Sequence, residues 1–139
     1  MKVWKLTNAD GTTHGGTKWT IGEARTADGT GELCGSGWLH FYQHPLLAVL
    51  LNPIHADFRE PRMFEAEAEG AFAFDRGLKA GCTQLTFVRE VPLPTITTAQ
   101  RVKFAKGCAK WAKLAAAGPQ LLAADILAVL SRIAEEAVK

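Results

Sequence analysis

Residues 62–69 read RMFEAEAE, a stretch in which apolar and charged side chains alternate strictly. Successive side chains of a β-strand point to opposite faces, so Phe64, Ala66 and Ala68 share one face. Glutamates occupy the other face. The pattern therefore predicts a strand with one face on a core and the other in water.

Further strands are predicted on both sides of this stretch. Residues 3–7 alternate around Trp4, and the sequence NADG at 8–11 predicts a turn that leads into a partner strand at 17–21. Residues 84–91 predict another strand, closed by two prolines.

A short buried helix is predicted at residues 44–51, where an apolar run follows Pro45. We expect Pro53 to stop this helix, because the residue before a proline avoids the helical region. From Thr97 the apolar period changes to 3.6, and Thr97 with Gln100 fits a capping box at the start of a longer helix.

Strands followed by helices favour the α+β class. We expect a small mixed or antiparallel sheet, with the short buried helix and two C-terminal amphipathic helices packed on it. The first C-terminal helix should end near Ala117, and the second should carry an apolar stripe over residues 122–133. The 139 residues suit a single domain, with a strand-rich body at 1–94 and a two-helix part at 95–139.

The composition excludes several classes of protein. Hydrophobic residues make up 47% and charged residues 22%, which argues against disorder. Three cysteines without a close pair argue against a secreted disulfide framework. The N-terminus lacks the apolar core of a signal peptide, and no apolar run approaches the ~20 residues of a membrane span. We expect a cytoplasmic protein without membrane association.

Positive charge is concentrated in the C-terminal part. Residues 1–94 carry 9 basic and 11 acidic side chains, whereas residues 95–139 carry 7 and 3. On a helix, four lysines fall within about 80° of one another; this lysine face consists of Lys103, Lys106, Lys110 and Lys113. It predicts contact with nucleic-acid phosphates or an acidic protein, and a solvated helix face is the alternative. The sequence leaves the oligomeric state open.

A histidine-rich segment, GSGWLHFYQH at residues 35–44, is the first candidate site. Cys34, His40, His44 and also His55 are residue types that bind zinc, but their spacing fits no zinc pattern. The alternative is that His40 is hydrogen-bonded between a strand and the helix and that His44 begins the helix. We therefore predict neither a metal nor a cofactor.

The second candidate is the row of carboxylates Glu65, Glu67 and Glu69. Three carboxylates on one strand face could bind a cation or serve as acid and base. The alternative is a solvated sheet face, whose charges also deter edge pairing.

Three short motifs, GELC at residues 31–34, LHF at 39–41 and AEAEG at 66–70, resemble a family of proteins. It is a widespread bacterial and bacteriophage domain of unknown function with an "lC-x-x-G-L-H" core. The resemblance covers roughly residues 18–112, although Trp38 separates the glycine and leucine that the family pattern joins. It implies a phage or prophage accessory protein and no established reaction.

The order of segments 37–41, 45–51 and 63–70 is also similar to that of the ADP-ribosyltransferase-like fold. This resemblance implies that His14 stands where that fold holds nicotinamide and that His40 lines the same cleft.

Two functions follow from these patterns. The first is an accessory protein that binds a host macromolecule, in which the lysine face contacts the partner. The alternative is a nucleotide- or NAD-binding enzyme with a cleft around His40, whose candidate catalytic residues are His40, His14 and Glu67.

Overall fold

The computed structural model describes residues 1–75 and 78–117, and for residues 111–117 the backbone alone. It contains seven strands, a 3₁₀ turn and two helices in these residues. The strands are β1 (Lys2–Thr7), β2 (Thr12–Thr13), β3 (Thr17–Lys18), β4 (Ala24–Thr26), β5 (Leu39–Phe41), β6 (Arg62–Asp75) and β7 (Lys79–Val91). The 3₁₀ turn is His14–Gly16, and the helices are α1 (Pro45–His55) and α2 (Thr98–Ala117).

The long hairpin of β6 and β7 forms the centre of the sheet. β1 pairs with the free edge of β6, and β4 and β5 pair with successive parts of β7. Each of these pairings is antiparallel, so the class is α+β with an antiparallel sheet. β6 confirms the strand predicted at 62–69 and extends it to Asp75.

A single bridge joins the two outer strands and closes four of the strands into a ring. Trp4 N–H donates to the Tyr42 carbonyl at 2.9 Å, and Tyr42 N–H donates to the Trp4 carbonyl at 2.8 Å. The ring therefore runs β1–β6–β7–β5 and back to β1. The ladder between β1 and β5 does not continue past this bridge.

The main core cluster takes buried side chains from all four strands of the ring. At its centre Phe87 stacks between two other aromatic rings, with centroid distances of 4.7 Å to Trp19 and 4.6 Å to Phe64. Trp19 comes from the loop after β3 and is held by a hydrogen bond from its Nε1 to Thr13 Oγ1 at 2.9 Å. The loop thereby contributes to the core.

One predicted pairing and one strand start are wrong. The region predicted at 17–21 is only the two-residue β3, which pairs with β2, and the partner of β1 is β6. β7 begins at Lys79 rather than at residue 84. The turn at 8–11 does form, with Gly11 at φ 79°, but it leads into β2. Local turn chemistry fixed the turn, whereas partner choice depends on residues far away in the chain.

Helix α1 covers the sheet through Ala48, which packs with Leu6 and Met63. It begins as predicted, because His44 Nδ1 accepts the Leu46 N–H at 3.2 Å. The predicted stop at Pro53 is wrong, since the helix continues to His55. The Asn52 carbonyl accepts the N–H of Ala56 at 3.0 Å, which closes the last turn around the proline.

Helix α2 begins with the predicted capping box. Gln100 N–H donates to Thr97 Oγ1 at 3.2 Å, and Thr97 N–H donates to Gln100 Oε1 at 2.8 Å. Phe104 is buried against the leucines of α1, with Cys108 beside it, so this helix contacts α1. The second C-terminal helix lies outside the described residues. None of the helices in the described part of the chain has the length and apolar character of a membrane span.

Candidate functional site

A pocket of ≈ 160 Å³ opens where the pairing of β1 with β5 stops, and α1 forms one of its walls. Its ionisable side chains come from five separate segments: Lys5, His14, His40, Tyr42, His55 and Lys79. Leu6, Ala48 and Phe58 supply the apolar part of the wall. No aspartate or glutamate lines it among the residues that the structure describes. We refer to this site as the basic pocket.

Lys5 occupies an inward position of β1, on the same face as the fully buried Val3 and Thr7. Its ammonium donates to the His40 carbonyl at 2.6 Å and lies 5.3 Å from the centroid of Trp19. Burial lowers the pKa of Lys5 to about 8. Within the described residues, neither Lys5 nor Lys79 forms an ion pair.

The ring of His40 is held by the glycine-rich loop that precedes β5. Its Nε2 bonds to the Leu33 carbonyl, and since a carbonyl only accepts, Nε2 carries the proton. Burial lowers the pKa of His40, and the charges of Lys5 and Lys79 act in the same direction against the opposing bond to Leu33. The ring is therefore neutral near pH 7, and its Nδ1 can accept a proton or a hydrogen bond.

The loop that supplies the Leu33 carbonyl requires glycine at position 37. A Cβ there would lie 1.9 Å from the Thr30 carbonyl oxygen. The same loop is closed by a bond from Gly29 N–H to the Gly37 carbonyl at 2.8 Å and by Trp38 Nε1 donating to the Gly31 carbonyl at 3.1 Å. These contacts hold the loop in place, and with it the Leu33 carbonyl that accepts the hydrogen bond from His40.

Tyr42 and His55 form a pair on the side of the pocket next to α1. The Tyr42 hydroxyl lies 2.6 Å from His55 Nδ1, and the two rings stack with centroids 5.8 Å apart. Burial raises the pKa of Tyr42 and lowers that of His55. Lys79 also lowers the pKa of His55, and Asp75 outside the pocket opposes it. These shifts favour the uncharged form of both groups, so the pair consists of a neutral phenol hydrogen-bonded to a neutral imidazole.

The residues considered as zinc ligands have other partners. His44 caps α1, His40 binds the Leu33 carbonyl, and Cys34 Sγ lies 3.9 Å from Lys79 Nζ. Across residues 1–75 and 78–117, no three histidine, cysteine, aspartate or glutamate side chains are arranged to hold a metal ion.

The carboxylates of β6 are engaged at the sheet surface. Glu65 forms ion pairs with Arg89 at 2.8 Å and with Lys2 at 3.2 Å, and its pKa is lowered chiefly by Arg89. Glu67 bonds to the N-terminal amine, and Glu69 accepts from Gln84 at 2.7 Å. Of the three candidate catalytic residues, His14 and His40 thus share the basic pocket, and Glu67 lies elsewhere.

The lysine face is exposed at Lys103, Lys106 and Lys110, and the side chain of Lys113 lies outside the described residues. Phe104, on the opposite side of α2, is buried. A depression of ≈ 380 Å³ near β4 is larger than the basic pocket, but all five of its lining residues are exposed and it encloses little.

Sequence reasoning missed two side chains of the basic pocket, Lys5 and Lys79. Tyr42 lies in the candidate segment 35–44, and His55 was considered only as a zinc ligand. Neither lysine was marked by a local pattern: Lys5 shares its strand face with Val3 and Thr7, and that mixed face does not read as the buried one.

Comparisons with known proteins identify a family and no activity. A family model described as a domain of unknown function (DUF7666) matches residues 1–99. This is more than half of the chain, so the protein belongs to that family. No curated protein and no solved structure matched the sequence.

Proposed function

We propose that this member of the DUF7666 family is a binding domain that takes a small anion, carrying a phosphate or carboxylate group, in the basic pocket. The observation that carries the proposal is the charge of the wall. Lys5 and Lys79 supply positive charge beside three histidines, and no carboxylate lines the pocket among the described residues. A partly buried ammonium without a counter-charge is unfavourable, and an anion that enters the pocket relieves this cost.

The volume limits the size of the ligand. Pockets for drug-sized molecules measure about 300–1,000 Å³, whereas the basic pocket measures ≈ 160 Å³. A phosphate, a small carboxylic acid or one end of a larger molecule fits this space.

The basic pocket lies within the part of the chain that the family model matches, which supports a role for the pocket in the function of the domain. Its lining residues run from Lys5 to Lys79, within the matched residues 1–99. The lysine face begins after them, at Lys103.

Titration calorimetry with inorganic phosphate at low ionic strength tests the proposal. Lys79→Gln should weaken binding several-fold, because it removes one of the two lysine charges on the pocket wall. Lys106→Gln removes a solvent-exposed charge and should change the affinity less than twofold. An absence of phosphate binding in the wild type, or equal losses in the two variants, would contradict the proposal.

A second candidate function is capture of a host macromolecule by the lysine face. It is supported by Lys106 and Lys110, which are exposed and one helical turn apart on α2. Replacing both with glutamate should weaken binding of a nucleic-acid oligomer or an acidic protein. Unchanged capture by this double variant would exclude that function. The double variant Lys18→Glu with Arg59→Glu, at exposed sites outside α2, controls for the same change in net charge.

A nucleotide- or NAD-binding enzyme stays the alternative. It is supported by His14 and His40, which line one pocket, and by the neutral ring of His40. With Glu67 at the sheet surface, this alternative has no assigned acidic group. A thermal-shift screen with NAD and nucleotides tests it, since a stabilisation that His40→Ala abolishes would support it and no response across the screen would count against it.

Other features of the sequence-based hypothesis also stay predictions. They are the bacteriophage setting, the cytoplasmic location and the packing of two C-terminal helices on the sheet.

A further inference from the structure

Lys5 differs from an ordinary surface lysine in position and contacts. Its side chain enters the ring of strands between two fully buried neighbours, Val3 and Thr7. Its Nζ donates one hydrogen bond, to the His40 carbonyl, and lies over the ring of Trp19. The pocket next to Lys5 is lined by neutral or basic side chains. Among the described residues, no carboxylate of the pocket forms an ion pair with the Lys5 ammonium.

We infer that Lys5 forms a reversible imine with a small anion that also carries an aldehyde or ketone group, of the 2-oxo acid class. The inference rests on the proposed function, since the anionic group is what the basic pocket selects. In the step, the neutral amine adds to the carbonyl carbon and forms the C–N bond. The carbonyl oxygen takes up the protons released by nitrogen and leaves as water. One amine and one carbonyl thus give one imine and one water, without an oxidant or reductant.

The environment of Lys5 supplies the neutral amine that this step requires. Burial lowers the pKa of Lys5 from 10.5 to about 8. Each pKa unit changes the free-amine fraction about tenfold near neutral pH, so Lys5 has more than ~100 times the free amine of an ordinary lysine. Desolvation by burial is the main cause of the lowered pKa, and the charge of Lys79 acts in the same direction.

Other groups of the pocket suit the two further requirements of imine formation with a 2-oxo acid, which are binding of the carboxylate and proton transfer. Lys79 is the second ammonium on the wall and suits the carboxylate of a 2-oxo acid. The hydrogen-bonded pair of Tyr42 and His55 provides a phenol and an imidazole for proton transfer during loss of water. The ≈ 160 Å³ volume admits an acid of a few carbon atoms.

Reductive trapping on the unmodified protein tests the inference. The protein is incubated at pH 7 with glyoxylate and cyanoborohydride, and the modified lysines are located by peptide mass spectrometry. We expect Lys5 to be modified at least tenfold faster than Lys106 and Lys110 in the same sample, and inorganic phosphate should slow only Lys5. Formaldehyde, which lacks a carboxylate, should show a smaller preference for Lys5.

The possible outcomes separate this inference from the proposed function. If phosphate binds but Lys5 reacts no faster than Lys106, the imine is excluded and the anion pocket stands. If phosphate does not bind and Lys5 reacts equally well with both aldehydes, the selection of an anionic ligand is overturned for both proposals.

Discussion

Lys5 in the basic pocket and Lys106 on the lysine face carry the same ammonium group in different surroundings. Lys5 lies against Trp19 inside the ring of strands, and Lys106 is exposed on α2. Water and salt screen an exposed charge, so its effect on any single ligand is small and depends on several neighbours. A buried charge interacts strongly with whatever enters next to it. The basic pocket therefore suits one small anion, and the lysine face suits an extended partner.

The two regions also differ in how they are assembled. The lysine face comes from one helix and repeats at helical spacing, whereas the basic pocket draws on three strands, a 3₁₀ turn and α1. A change in strand pairing would therefore disrupt the basic pocket and leave the spacing of the lysine face intact.

The largest expected effect is on stability, in Lys5→Met. The native state releases the Lys5 proton near pH 8, while the unfolded chain keeps it to about 10.5, so the free energy of unfolding contributed by this group rises between these values. Below pH 8 both states hold the proton and the cost of burying it is present in full. Lys5→Met should therefore gain stability relative to wild type at pH 7, and this difference should shrink by about 2 kcal/mol towards pH 10.

Urea unfolding at the two pH values measures this difference. Lys106→Met serves as the matched control, because an exposed lysine should give a difference that does not change with pH. A pH-independent difference for Lys5→Met as well would show that the two lysines are in equivalent surroundings.

A smaller effect is expected from salt. If the lysine face binds a nucleic-acid oligomer through Lys106 and Lys110, raising salt from about 50 to 200 mM should weaken that binding roughly tenfold. Phosphate binding in the basic pocket should weaken less than about threefold, because partly buried charges are screened less. Fluorescence anisotropy measures the affinity for the oligomer, and calorimetry measures that for phosphate. An equal salt dependence of the two affinities would show that salt screens the charges of the two sites alike.

The smallest effect is expected from Thr97→Ala, which removes the side-chain half of the capping box of α2. It should lower the free energy of unfolding by about 1 kcal/mol and speed amide exchange in the first turn. Phosphate affinity should not change, because none of the α2 side chains that the structure describes lines the basic pocket. Thr98→Ala, one residue inside the helix, is the control and should have less effect. A loss of phosphate binding in Thr97→Ala would mean that α2 supports the pocket.

The sequence predicted features that depend on near neighbours. The strand at 62–69, the start of α1 at His44 and the capping box at Thr97 are confirmed, because alternation, capping and helical period are local properties of the chain. The prediction failed at Pro53, where tertiary packing and the Asn52 carbonyl keep one more turn of helix in place. It also failed for the partner of β1, which lies about 60 residues away in β6.

The candidate site was predicted only in part. His14 and His40 were selected from motifs and do share a pocket, whereas Glu67 was selected from the alternating row of carboxylates and lies at the sheet surface. Alternation assigns a side chain to a face of its strand, but it does not say which other segments meet that face. Lys79 and His55 belong to the pocket because β7 pairs with β5 and α1 packs on β1, and no local pattern encodes that arrangement.

By itself, then, the sequence determined the α+β class, the alternation of β6, the cap of α2 and the spacing of the lysine face. These follow from dihedral preferences and from periodicity, which act within a few residues. Tertiary structure alone decided that the Trp4–Tyr42 bridge closes a ring, that the pairing of β1 with β5 stops there, and that two lysines and three histidines face the resulting pocket. Long-range strand pairing brings these residues together, and burial then changes their chemistry. It lowers the pKa of Lys5 to about 8, although the sequence around Lys5 is that of an ordinary strand.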